Sequence, residues 1–523
     1  MKKAFRLISA LMLVVMLVTM FASCNNDTPA TTAPGTKPSV TGTPTPDEKI
    51  PDFVKDFEKR DGEEIGIIMC GGELATRSIT IPEDGDPTYS VNIAVSKRNA
   101  KVEELLGVKI VPKETIGMQG MVSHMREYFN SPDTSYDIVG VYQYFDMGLA
   151  FGDDAGSFYN YNALEEDENY LDPTAPYWDN ECYEILQYED AAFWITGDLS
   201  QTWLSTIFVS YVNAEMWKEF WDNGKIPALP ELEGFEGSDI YELVYEGYWS
   251  IDLWCALNEL VYENRDGNAS VITPEDRHGF VGYSSASDIN NIIVDGMFSG
   301  CHVTFSKIVD GVPKMDYNNN ALKAYADATK ELYNESKSCT LPYDGDNTAM
   351  DIFARGISLM TVNTLAEAEL SLADMTADYY ILPPPKATKS QSDYATTVGD
   401  GTNQFGIPKG CEDIGAATAT LEALGFYSKE YVTPEYYDNA LKGRYTRGDS
   451  DKAAKMIDFT RSKVYSDFAL LWTGSMSDSV SWYLRRNIGS NLVRSEAPIK
   501  QVAWGKQLQT VLNDIADSGD VEV

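Results

Sequence analysis

The sequence predicts an α/β protein built around a parallel sheet and large enough for two lobes. Three observations carry this. From Ile65 to Val141, apolar runs and amphipathic stretches alternate as strand, helix, strand, helix, strand, the order of a parallel sheet with right-handed crossovers. The chain has 523 residues, about three times an ordinary single domain. Its 43% hydrophobic and 12% aromatic content suffices for a sizeable core.

The elements follow in order. Ile65 to Met69 is a buried-strand run that stops at Cys70-Gly71-Gly72, a turn signal. Ser96 to Leu106 carries Ala100, Val102, Leu105 and Leu106 between charges and halts at Gly107, a helix with a C-terminal glycine. Val108 to Val111 is the second strand, Met118 to Phe129 the next helix, and Tyr136 to Val141 the third strand. Phe193 to Thr196 and Ile207 to Tyr211 read as strands about a Gly197-Asp198 turn. Trp249 to Tyr262 reads as a helix capped by Ser250. Phe280 to Tyr283, Ser358 to Val362 and Tyr379 to Leu382 are further strands, and Ala321 to Tyr333 is a helix. The last 100 residues read as helices rich in Trp and Tyr.

Acidic residues outnumber basic ones by 80 to 41, a formal net charge of −39. A nucleic-acid partner needs Lys and Arg to neutralise phosphates, so that class is excluded. Lys2, Lys3 and Arg6 precede an apolar run from Leu7 to Ala22, the form of a secretory signal over residues 1–23. The run ends Phe21-Ala22-Ser23-Cys24, which resembles the lipobox of bacterial lipoproteins, with Phe21 in place of the usual Leu. That resemblance implies acylation at Cys24; the alternative is a plain signal peptide followed by a chance cysteine. Residues 24–63 open with a Thr/Pro-rich tract that cannot bury enough surface to fold and reads as a tether. The other six cysteines are widely spaced with no CxxC pair, which argues for buried thiols over a zinc ribbon or redox motif.

The order SKRNAKVEELLGVKI, SYDIVGV, FWITGDLS, FVSYVNAEMWKEF, WSIDLWCALNELV, GFVGYS, DIFARGISLMTVN, YYILPPP and QFGIPKG resembles the extracellular solute-binding proteins of ABC transporters, in the group that captures sugars and oligosaccharides. The resemblance spans roughly residues 64 to 515. It implies a two-lobed periplasmic-binding-protein-like fold of type II, with a hinge and a ligand cleft between the lobes. On that basis, residues 64–204 plus 349–398 are expected to form one lobe and 205–348 plus 399–523 the other. Crossings are expected near Gly197 to Ser205, Asp346 to Asp351 and Thr396 to Gly401. The implied function is capture of a carbohydrate, with no bond broken and no cofactor. The implied partners are the permease subunits of an ABC importer and, through the lipid anchor, the outer face of the cell membrane.

A sugar site needs aromatic rings for C–H faces and polar groups for hydroxyls. The loop after the third strand offers both in Tyr142, Gln143, Tyr144, Phe145 and Asp146; the alternative is ordinary surface aromatics. Trp482 is the expected stacking residue of the late helical segment, in competition with Trp472 and Trp504. Asp198 and Trp203 stand at the expected first crossing, as either ligand contacts or a turn aspartate and a packed indole. Glu73 follows the first glycine turn and is either at the cleft edge or simply solvated. After the SLMTVN strand the family often places an aromatic, but here the run is Asn363-Thr364-Leu365-Ala366-Glu367, so Asn363 and Glu367 are the candidate polar contacts.

Enzyme readings lack a motif: there is no GxSxG, HExxH or GxxxxGK[ST]. His124, His278 and His302 stand isolated. A surface glycoside hydrolase needs only two carboxylates and stays as the alternative, beside a non-catalytic carbohydrate-binding or adhesion lipoprotein. Asn264, Asp266, Asn268 and Glu275 echo calcium-loop spacing, but Ala269 replaces the obligatory glycine, so a simple Asp-Gly-Asn turn and no metal are expected.

Overall fold

The computed structural model describes residues 49–519 except 84, 134, 269–270, 285–291, 342–347, 446–449 and 478, with the backbone alone at 440, 442–445 and 450. The signal segment, Cys24 and most of the tether lie outside the described residues. The folded body runs from Pro51 onward as one unit.

Its first sheet contains β1 (Glu63–Cys70), β2 (Val108–Ile116), β3 (Ile138–Tyr142) and β11 (Asn403–Gly406) in the order β11-β3-β1-β2. β1 runs parallel to β2 and β3, as the alternation predicts, and β11 closes the edge antiparallel to β3. The second sheet contains β4 (Phe208–Asn213), β5 (His278–Tyr283), β8 (Cys339–Leu341), β9 (Ser358–Thr364) and β10 (Tyr379–Leu382), ordered β10-β4-β9-β5-β8. A separate hairpin joins β6 (Ser306–Val309) to β7 (Val312–Met315).

These pairings correct the expected division of the chain. Residues 349–398 are expected in the first lobe, but β9 lies between β4 and β5 and β10 pairs with β4. Every residue of β9 is buried, as the centre of a sheet requires. Conversely, β11 belongs to the first sheet. Just after it, the helix Ile414–Tyr427 packs on the helix Ser90–Leu106 and on β1.

Two expected crossings, beside Ser205 and within Thr396 to Gly401, coincide with the paired segments, and the one near Asp346 to Asp351 does not. The chain leaves the first lobe after the helix Gln201–Ser205 and returns through residues 397–399. The two strands of chain pair side by side: Gly399 N–H donates to Thr206 O at 2.9 Å, and Phe208 N–H to Thr397 O at 3.1 Å. The stretch expected to cross near Asp346 to Asp351 instead leads into the helix Thr348–Ala354, which packs on β5 and β9 inside the second lobe. A third passage lies between the helix Ile414–Tyr427 and the helix Ser450–Arg461, the latter packed on β10.

Phe193 to Thr196 does not form a strand; Ile195 makes only an isolated bridge to Phe405. Ser250 does cap its helix, its Oγ accepting Leu253 N–H at 3.5 Å. Trp472 and Trp504 are 1% and 0% exposed, so both are core. The six described cysteines are buried and free.

Candidate functional site

The end of β3 turns sharply because Asp146, fully buried, accepts the Tyr142 N–H at 2.9 Å. Burial pushes the Asp146 carboxyl up to about 6, with the Cys70 thiol and that N–H pulling the other way. The turn sends Gln143 inward: its N–H donates to Thr402 O and its Oε1 accepts from Gln404 Nε2 at 3.2 Å. Gln143 therefore serves the core and not a ligand. Asn403 Nδ2 donates to Cys70 O at 2.7 Å and Val141 O at 3.2 Å, binding the ends of β1 and β3 into one floor.

The aromatic residues of this loop gather. Tyr144 stacks on Trp482 with centroids 4.9 Å apart and planes 7° from parallel. Phe145 meets the Tyr144 ring edge-on at 4.9 Å and the Trp482 ring at 6.5 Å, and lies 5.6 Å from Tyr142. Trp482 is half-buried on the helix Val480–Asn487, which Ser479 caps by accepting Trp482 N–H at 3.3 Å. That helix packs on the helix Ile293–Gly300 of the second lobe. The stack therefore joins the two lobes.

Beneath it sits an ion cluster that sequence reading missed. Arg485, one turn after Trp482, donates through Nε to Asp295 at 2.8 Å and through Nη2 to Asp295 and to Asp400, the latter at 2.7 Å. Burial works against the Arg485 charge, but the two carboxylates outweigh it and hold the guanidinium protonated. Burial also pushes Asp295 up to about 6, with Arg485 opposing. One signal was available: Asp295 is a lone carboxylate in the apolar helix IVDGMFSG, and such a group must find a partner. Asp400 stands in Gly399-Asp400-Gly401, within a stretch expected to cross.

The remaining candidates scatter. Glu73 is exposed and accepts from Arg77 Nη2 at 2.7 Å. Arg77 Nη1 in turn reaches Glu369 Oε1 at 2.8 Å, and Tyr89 OH reaches Glu369 Oε2 at 3.2 Å. This second tie joins the helix Glu73–Arg77 of the first lobe to the helix Glu367–Leu370 of the second. Asn363 is buried in β9, its Oδ1 accepting Thr364 N–H, and Glu367 is buried and bonded by Ser371. Both side chains are thus engaged within the second lobe. Asp198 is buried beside Lys429, 3.8 Å away; burial raises it to about 6 against the pull of Lys429 and Arg461. Trp203 donates Nε1–H to Asp179 at 3.0 Å, so it is a packed indole. Neither joins the aromatic cluster.

The calcium-like loop is satisfied from within. Asn264 Oδ1 accepts Gly267 N–H, and Asp266 accepts Asn268 N–H and the Thr273 hydroxyl; Ala269 lies outside the described residues. No group of three potential metal ligands occurs among the described residues. The cavity of about 570 Å³ lined by Arg265, Arg277, Arg355 and Glu219 lies at the end of the second sheet away from the crossings. Its arginines are paired with Glu263, Glu219 and Glu275.

No protein-family model matches this chain, and no curated protein matches it in sequence. Solved structures do match. The cyclic alpha-maltosyl-1,6-maltose binding protein from Arthrobacter globiformis aligns over 88% of this chain and 99% of its own, at 11% identity and a TM-score of 0.52. The galacto-N-biose-/lacto-N-biose I-binding protein of the ABC transporter from Bifidobacterium longum, solved with lacto-N-biose, aligns over 89% of this chain and 100% of its own, at 12% identity and a TM-score of 0.50. The fold is that of the two-lobed solute-binding proteins. The ends of β1 and β3 and the paired crossings bring Tyr142, Tyr144, Phe145, Trp482 and Asp400 close together at the junction of the two lobes. Among the described residues no helix is long and apolar enough to cross a membrane.

Proposed function

We propose that this protein captures a saccharide in the inter-lobe cleft and presents it to the permease subunits of an ABC importer on the outer face of the cell membrane, held there by a lipid on Cys24. The observation that carries the reading is the Tyr144–Trp482 stack, in which the buried ring of one lobe backs the half-buried indole of the other and leaves that indole to face a ligand. Sugar C–H faces pack on such surfaces while hydroxyls need nearby polar acceptors. A ligand touching both lobes favours the closed form by its differential contacts. The carbohydrate-binding proteins that share the fold support the same class of ligand.

The test is a thermal-shift screen of residues 52–523 against mono- and oligosaccharides, including maltotetraose, lacto-N-biose and a cyclic maltosyl-maltose, with chromatography of each sugar afterwards. Saturation at about 100 times the dissociation constant adds roughly 2.7 kcal/mol. The expected result is stabilisation by at least one saccharide, recovered intact. Hydrolysis of the sugar would turn the reading toward a glycoside hydrolase, and silence across the panel would end the saccharide assignment. Palmitate labelling of the full chain, lost in Cys24→Ala, tests the anchor.

A further inference from the structure

Within the Asp295–Arg485–Asp400 cluster only Asp400 keeps appreciable surface: its side chain is 19% exposed, against 4% for each of the other two. One of its carboxylate oxygens accepts from Arg485. Its backbone carbonyl accepts the Tyr144 N–H at 3.1 Å. Its neighbour Gly401 lies against the Tyr142 phenol, where a Cβ would stand 2.7 Å from the hydroxyl. Burial raises both the Tyr142 and Tyr144 phenols, and the Asp400 charge adds to that rise in each. The carboxylate thus lies close to both phenols, on the crossing segment that carries Gly401.

Arg485 is held twice over. Its planar fork grips Asp295, which is buried in its own lobe, and its Nη2 also reaches Asp400 on the crossing segment. It stands three residues after Trp482 on one helix face, so fixing the guanidinium also fixes the turn that carries the indole.

We infer that Asp400 is a hydroxyl acceptor of the cleft, and that Arg485 is the positioning residue that holds this carboxylate and the Trp482 platform in one arrangement. The inference rests on the saccharide reading of the cleft and adds to it a polar contact drawn from the crossing segment itself. Lobe movement about that segment would carry the acceptor with it, so the hydroxyl bond would form only when platform and crossing are aligned.

The experiment is calorimetric titration of the native chain, Asp400→Asn, Asp295→Asn and Asp327→Asn with maltotetraose and lacto-N-biose. Asp295 still neutralises Arg485 in Asp400→Asn, so that variant retains its fold, which circular dichroism verifies. Asp327 is an exposed partner of Arg494 and serves as the control. Expected are a tenfold or larger loss of affinity in Asp400→Asn, as suits a charge-assisted bond, a smaller loss in Asp295→Asn and none in Asp327→Asn. Full affinity in Asp400→Asn would overturn the acceptor role.

A second readout needs no sugar. In protein labelled with 5-fluorotryptophan, the Trp482 resonance, identified by its absence in Trp482→Phe, should move in Arg485→Lys and stay in Asp327→Asn. An unmoved resonance would overturn the positioning role. If neither saccharide binds the native chain, the acceptor role falls with the proposed function, while the fluorine resonance still decides the positioning role.

Discussion

Tyr144 and Trp482 come from opposite lobes and stack with their planes 7° apart at 4.9 Å. Tyr144 is 8% exposed, whereas Trp482 is half-buried. Their contact is a lobe–lobe bond, and under the proposed function the indole also faces the ligand; these two roles separate by substitution.

Trp482→Ala should weaken saccharide binding about tenfold or more while lowering stability by about 2 kcal/mol, the worth of the stacked pair plus the burial of a half-covered indole. Trp472→Ala should do the reverse. Its ring is buried in the core, so its removal should cost about 3–5 kcal/mol with affinity preserved in whatever remains folded. Titration and chemical unfolding of both variants check this; equal effects on affinity would remove Trp482 from its special place.

The residues of this platform were partly legible in the sequence. A Tyr-Gln-Tyr-Phe-Asp stretch directly after an apolar strand points to a strand-end loop, and local pattern locates both. Sheet membership was not legible. β9 is an apolar run whereas β11 is the short, largely polar NQFG, and only long-range pairing puts one in each sheet. The Arg485 cluster was hidden for the same reason, since Asp295, Asp400 and Arg485 belong to three segments that meet only in the fold. Gln143 and Asn363 misled because a polar residue beside a candidate site can as easily bond the backbone or the core.

The tie between Arg77 and Glu369 should be worth more than a surface pair. Arg77 is almost fully buried and Glu369 mostly so. Burial disfavours the Arg77 charge, and the nearby Glu369 carboxylate outweighs it. Glu369→Gln leaves that guanidinium with only the exposed Glu73 and should cost about 1–3 kcal/mol. A double-mutant cycle with Arg77→Met measures it, and a coupling energy near zero would show that the two lobes do not depend on this bond.

Asp146 should make stability depend on pH in a specific direction. Its carboxyl sits at about 6 in the folded protein against about 3.9 in an unfolded chain. Between those values the native form binds the extra proton, so the stability this residue contributes is present at low pH and lost as pH rises through about 6. The loss amounts to about 3 kcal/mol. Asp146→Asn cannot titrate, so its unfolding free energy should gain on the native protein by about that amount from pH 4 to pH 8. A difference that stays flat across the range would mean that Asp146 is ionised throughout.

Gly474 should tolerate no side chain. It lies in the short turn Thr473–Ser475, where an added Cβ would stand 1.6 Å from Tyr144 O and 2.7 Å from its carbonyl carbon. Those are backbone atoms of the platform loop, which the buried Asp146–Tyr142 bond holds in place, so no side chain can swing aside to make room. Gly474→Ala must therefore push the loop off the turn, parting Tyr144 from Trp482 or straining the β3 end. Overpacking of this kind costs about 1–3 kcal/mol or more. Because the clash falls on the platform itself, saccharide affinity should drop with stability, unlike in Trp472→Ala. Unfolding and titration of the same preparation test this. A stable Gly474→Ala variant with native affinity would mean that the turn and the loop are not pressed together as described.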